Sequence, residues 1–108
     1  MRLLTEAQTL LQIHLKELGV ETIPEYQFDC DRKFRFDLAS LEHRIGFEIS
    51  GGNWTSGHRR GKAQEHEYDK LNIAQMAVWR VMQWTNRQVL DGDALEFLRN
   101  HLRNGLHP

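Results

Sequence analysis

Two runs of alternating residues, separated by only four positions, constrain this chain more than any other feature. Lys33–Ala39 sets Phe34, Phe36 and Leu38 at every second position, and Arg44–Ser50 does the same with Ile45, Phe47 and Ile49. Side chains in a strand point to opposite faces in turn, so each run presents one apolar and one polar face. The short separation predicts an antiparallel hairpin. Its polar face carries Lys33, Arg35, Asp37 and Ala39 on one strand, and Arg44, Gly46, Glu48 and Ser50 on the other. A turn centred on Leu41 and Glu42 puts Arg35 opposite Glu48. Asp37 is then the diagonal neighbour of Glu48, with Cα atoms about 7–8 Å apart and side chains in reach.

The flanking segments supply layers for this hairpin. Thr5 to Leu18 reads as an amphipathic helix in which Leu4, Ala7, Leu11, Leu15 and Leu18 face the core. Thr5 and Gln8 have capping-box spacing at its start, Gly19 stops it, and Pro24 blocks continuation. Glu25 to Phe28 is a short strand candidate. Gly51 and Gly52 end the second hairpin strand, and Asn53 to Gly61 reads as a loop holding Trp54. A second helix spans Lys62 to Val78 with Leu71, Ala74 and Val78 as its buried stripe. Trp79 to Thr85 is a further strand. A last helix, Asp91 to Arg103, packs through Leu95, Leu98 and Leu102. The order of helix, three strands, helix, strand and helix predicts an α/β (α+β) domain with a mixed central sheet flanked by helices.

With 108 residues the chain fits one domain, and 40% hydrophobic content suffices for one modest core. No apolar run approaches the roughly 20 residues of a membrane span. The N-terminus has no long apolar stretch ahead of a cleavage site, so no signal peptide is expected. Cys30 is alone, which excludes an internal disulfide and a thiolate zinc cluster and fits a reducing, cytoplasmic setting. The net charge of −1 does not advertise nucleic-acid binding. The distribution does more, because His58, Arg59, Arg60 and Lys62 cluster in a Gly-flanked segment suited to phosphates, or to plain solvation.

Asp37 and Glu48 carry the candidate chemistry. Two carboxylates in reach of one another suit a divalent ion, and Mg²⁺ takes one or two carboxylates plus waters and phosphate oxygens. Phosphodiester hydrolysis is the reaction that follows. The same pair beside Arg and Lys also reads as cross-strand salt bridges on a wet sheet face, and spacing alone leaves both readings open. Glu65, His66 and Glu67 are consecutive, and neighbouring helix positions point apart, so they do not share an ion.

The residues around the pair form an ordered set. Arg32-Lys33-Phe34-Arg35-Phe36-Asp37-Leu38-Ala39 is followed by Ile45-Gly46-Phe47-Glu48-Ile49-Ser50-Gly51-Gly52, then by Trp54 to His58, Asp69-Lys70-Leu71-Asn72 and Trp79-Arg80-Val81. From Glu6 to Val89 this resembles the PD-(D/E)XK (restriction-endonuclease-like) nucleases, closest to small phage-type and very-short-patch-repair-like endonucleases. The resemblance implies an αβββαβ core and a Mg²⁺- or Mn²⁺-dependent DNA endonuclease acting on branched, mismatched or nicked DNA, in repair or recombination. It implies Asp37, Glu48 and the Ile49 carbonyl as metal ligands, with Glu6 approaching from the first helix.

Two positions depart from the family pattern. Ser50 stands where an acid or Lys is usual, and its hydroxyl would hydrogen-bond a water; Lys70 would supply the missing charge from the second helix. Val78 stands where the closing strand usually begins with Gly. His58 would orient a water or contact the scissile phosphate. Arg59, Arg60 and Lys62 would contact the DNA backbone, Arg35 would pair with a site carboxylate or steer DNA, and Trp54 would stack on a base or wedge a junction. Two other readings use the same scaffold: a DNA-binding module without turnover, and a protein-interaction domain. Cutting both strands needs two active sites, which a homodimer would supply.

Overall fold

The computed structural model describes residues 3–51 and 60–105. The elements run in the order α1 (Glu6–Glu17), β1 (Ile23–Asp29), β2 (Phe34–Ser40), β3 (Ile45–Ser50), α2 (Arg60–Met76), β4 (Arg80–Thr85), α3 (Asn86–Leu90) and α4 (Asp93–Gly105). The four strands form one sheet in the order β1-β2-β3-β4. β1 to β3 are an antiparallel meander, and β4 returns through α2 to lie parallel to β3. This is the mixed sheet flanked by helices that the alternation of elements predicts. Among the described residues no helix is long and apolar enough to cross a membrane.

One face of the sheet packs against α1, α3 and α4. Leu38, Ile45, Phe47 and Trp84 meet Leu11, Leu15, Val89 and Leu98 there. The other face receives α2, with Phe36, Ala39, Ala74 and Trp79 buried and Tyr26, Phe28 and Val81 around them. The helix α2 buries little: Ala74 is its one fully buried residue among those described, while Val78, expected on the stripe, is 76% exposed.

The helix ends follow from cap chemistry. In α1, Thr5 Oγ1 accepts from the Gln8 N–H at 3.1 Å and Gln8 Oε1 accepts from the Thr5 N–H at 3.2 Å, a complete capping box. Gly19 ends it at φ 85°, with its N–H on the Lys16 carbonyl and the Val20 N–H on the Leu15 carbonyl. The helix α2 ends in the same motif, with the Val78 N–H on Gln75 and the Trp79 N–H on Ala74. Here the left-handed position, φ 63°, is occupied by the β-branched Val78. Trp79 therefore completes the helix cap, and β4 begins one residue later than expected. The short helix α3 was not expected. Thr85 and Gln88 build a second capping box at its start, and α4 then begins at Asp93.

Two expectations about the hairpin are corrected. The turn is the four-residue stretch Leu41–Arg44, so the paired positions are Ser40 with Ile45, Ala39 with Gly46 and Leu38 with Phe47. Continuing that register brings Asp37 level with Glu48; Arg35 instead pairs with Gln27 on β1. Second, Phe34, Phe36 and Leu38 do not share a face. Phe36 packs in the α2 layer and Leu38 in the α1 layer. The alternation breaks at Asp37, beside Glu25 on β1, whose φ of 53° is the left-handed conformation. The left-handed residue on β1 and the change of face on β2 thus fall at the same level of the sheet, between the pairs Pro24–Leu38 and Tyr26–Phe36.

Candidate active site

The β2–β3 ladder stops at Leu38 and Phe47, and beyond it side chains take over the backbone's hydrogen bonds. The Asp37 N–H donates to Glu48 Oε2 at 3.2 Å. The Ile49 N–H donates to Asp37 Oδ2 at 2.7 Å. The Asp37 carbonyl accepts from Gln8 Nε2 at 3.0 Å, and the same amide nitrogen donates to Glu25 Oε2 at 2.8 Å. Two carboxylates are thus wedged into the gap between diverging strands, each fixed by a main-chain N–H. Backbone donors aimed at an ionised oxygen make strong, short bonds.

From the facing helix, Lys70 Nζ forms an ion pair with Glu48 Oε1, and both side chains are largely buried, at 16% and 13% exposure. Lys70 lies one turn before Ala74, the residue that anchors α2 on the sheet, so the packing that buries Ala74 also delivers the ammonium to the carboxylates. The pair opens into a groove of about 620 Å³ between β3, β4 and α2, lined also by Ser50, Glu67, Tyr68, Gln83 and Gln88. A second recess of about 320 Å³ meets it at Asp37, Glu67 and Lys70 and runs past Glu25, Lys33, Arg35 and His66.

Burial dominates the protonation of this site. It pushes the Glu48 carboxyl up to about 7, against the opposing charge and hydrogen bond of Lys70. It also raises Asp37, where the Ile49 N–H and Lys70 oppose the rise and the nearby Glu25 adds to it. Two carboxyls within hydrogen-bond reach in a partly desolvated gap resist carrying two charges. A cation placed between them would relieve that cost.

No family model, curated protein or solved structure matches this chain. Asp37, Glu48, Lys70, Ile49 and Ser50 all line the groove, Ile49 included although its strand pattern placed it on the face opposite Glu48 and Ser50. Ser50 is exposed at the end of β3, level with Thr85 on β4. Arg35 is exposed and borders the second recess. Glu6 does not join them. It is exposed in the first turn of α1, and the α1 side chain that reaches Asp37 is Gln8. Lys62 is exposed near the start of α2, and Arg60 opens that helix. Trp54, His58 and Arg59 lie outside the described residues.

Three residues of the site were missed: Gln8, Glu25 and Glu67. Gln8 read as a cap, and that role consumed it, although an amide has a second end to satisfy. Glu25 carried only a weak strand pattern. Glu67 sits three residues before Lys70, a spacing that places both on one helix face. Among the described residues, no group of three or more His, Cys, Asp or Glu side chains is arranged to hold a metal ion. The donor set is the pair itself.

Proposed function

We propose that this chain is a divalent-metal-dependent phosphodiester hydrolase acting on DNA, an endonuclease of the PD-(D/E)XK kind. The observation that carries this reading is the carboxylate pair in place of a ladder, at the mouth of an open groove, with a lysine against it. A hairpin that only needed stability would continue its ladder, since a buried carboxylate pair costs free energy that backbone pairing does not.

The donors fit a hard divalent ion. Asp37 and Glu48 would hold it together with the Ile49 carbonyl, within the one or two carboxylates that Mg²⁺ prefers. Bound there, Mg²⁺ or Mn²⁺ would supply Lewis-acid charge to the scissile phosphate and lower the pKa of the attacking water. The protein's own groups do the rest. The Ile49 and Asp37 N–H groups fix the direction in which the two carboxylates point. Lys70 holds Glu48 from the other side and would donate to a phosphoryl oxygen as negative charge grows there. That contact gives a physical reason why Ser50 tolerates having no charge. Arg35 and Lys33, exposed along the second recess, would meet the backbone phosphates on either side of the cut and set register without reading sequence. Cutting both strands of a duplex would take two copies of the chain.

The test is to incubate the protein with supercoiled plasmid and with a synthetic four-way junction in Mg²⁺, Mn²⁺ or EDTA, beside Asp37→Asn. Metal-dependent nicking or junction cutting that the variant abolishes is the expected result. DNA binding with no cutting in any metal would make the chain a binding module. Neither binding nor cutting would overturn the nucleic-acid reading and favour a protein-interaction domain.

A further inference from the structure

Gln8 is buried, with 6% of its surface exposed, on a helix whose other buried residues are apolar. A buried amide is costly unless its hydrogen-bonding groups are satisfied. Here the amide oxygen accepts from the Thr5 N–H at 3.2 Å, and the amide nitrogen donates to Glu25 Oε2 at 2.8 Å and to the Asp37 carbonyl at 3.0 Å. An ordinary capping box needs only the first of these bonds. The other two end at the level where β2 loses its regular alternation. Glu25 and Asp37 lie between the paired positions Pro24–Leu38 and Tyr26–Phe36. Glu25 holds a left-handed backbone that a glutamate adopts only when its surroundings impose it.

We infer that Gln8 is the positioning residue of the carboxylate pair, its amide clamping the Asp37 main chain and the Glu25 side chain so that the Asp37 carboxylate turns into the gap facing Glu48. The inference rests on the metal-site reading above. It adds that the first helix serves the site through a neutral amide two residues beyond the acid expected there. The amide is suited to the task because it donates to a carboxylate and a carbonyl together. A glutamate at this position would keep the acceptor for Thr5, lose both donors, and set its charge against Glu25.

The role separates from a purely structural one because the two ends of the amide do different things. Thr5→Ala removes the cap and leaves both Nε2 bonds in place. Gln8→Glu keeps the cap acceptor and removes both donors. Mn²⁺ affinity, read by electron paramagnetic resonance on the metal-loaded and metal-free protein with Asp37→Asn as the blank, reports on the site without any turnover. Groups that orient metal ligands typically change affinity roughly 10–100-fold when removed. Gln8→Glu is expected to weaken Mn²⁺ binding about tenfold or more, and Thr5→Ala by less than about twofold, while both lower the unfolding temperature. Gln8→Leu, which fills the site without a charge, should match Gln8→Glu in Mn²⁺ affinity. Equal and unchanged Mn²⁺ affinity in all three variants, each folded, would overturn the positioning role and leave the metal site standing. A wild-type protein that binds no Mn²⁺ more tightly than Asp37→Asn would overturn both.

Discussion

The two ends of the β2–β3 hairpin obey different rules. At the closed end, Ser40, Ala39 and Leu38 pair with Ile45, Gly46 and Phe47, and all six residues are buried. Gly46 is there because Phe36 leaves no room: a Cβ on it would sit 2.5 Å from the Phe36 ring. At the open end the ladder gives way to Asp37 and Glu48, half-buried charges held by backbone N–H groups and by Lys70. The closed end is optimised for packing. The open end keeps polar groups where apolar ones would be more stable, a local conflict that the proposed metal site would explain. Substitutions should therefore separate the two ends, one moving stability and the other moving activity.

The largest effect is expected at Phe47. Phe47→Ala empties a fully buried site against Trp84 and should cost about 3–5 kcal/mol of stability, read by denaturant unfolding. Loss of under about 1 kcal/mol would mean that the closed end is not the core it looks to be. Lys70→Met is the open-end counterpart. It keeps the stem and removes the ammonium, and should lower kcat per folded molecule roughly 10²–10³-fold; stripping one partner from a largely buried pair also costs stability, so the unfolding curve is recorded beside it. If Lys70→Met instead unfolds the protein with activity per folded molecule intact, the ion pair is structural and the contrast between the ends fails.

A pH titration sharpens the same contrast. Burial raises the folded-state pKa of Glu48 from 4.5 to about 7. Between those values the folded chain holds a proton that the unfolded chain has released. Stability of the metal-free protein should therefore fall as pH rises from about 4.5 to about 7, by at most about 1.4 kcal/mol per pH unit. Asp37, also raised, adds in the same direction. Glu48→Gln should flatten the slope. The same proton must leave when a cation binds, so Mn²⁺ affinity should rise with pH through that range. A stability curve that rises between pH 4.5 and 7 in EDTA would contradict the burial argument.

The closed end was the legible part. Period-two alternation, a short gap and two β-rich runs fix a hairpin whatever surrounds it. The register was not legible, because alternation alone does not distinguish a turn centred on Leu41 and Glu42 from the four-residue turn Leu41–Arg44, and two residues of turn change which side chains face one another. The pairing of Asp37 with Glu48 survived that error because both stay on the same polar side under either register. The break at Asp37 was hidden for a different reason. It lies beside Glu25 at φ 53° and under an amide from α1, neighbours distant in sequence that leave no periodic trace. By contrast, α3 was available to be read: Thr85 and Gln88 repeat the spacing of Thr5 and Gln8, and both form the same box.

The smallest effect tests where strain lies relative to the two ends. The closed end is tied to the end of α2 by Arg44, whose Nε and Nη2 donate to the Ala77 carbonyl at 3.1 and 2.8 Å and whose own carbonyl accepts from the Arg80 N–H at 3.0 Å. Next to that junction Val78 holds φ 63°, a conformation that costs a residue with a Cβ roughly 1–2 kcal/mol. Its side chain is largely exposed, so little packing offsets the strain. Val78→Gly relieves the clash and loses some backbone entropy, about 0.5–1 kcal/mol. The net should be a gain of about 0.5–1 kcal/mol, visible as a rise of a few degrees in the unfolding temperature. Gly19→Val, the reverse exchange in the matching cap of α1, should lower it. Neither substitution touches the carboxylates, so kcat should stay within about twofold for both. Val78→Gly raising the melting temperature while lowering kcat would show that α2 must flex at this cap for Lys70 to work, and that the two ends of the hairpin are coupled through the helix.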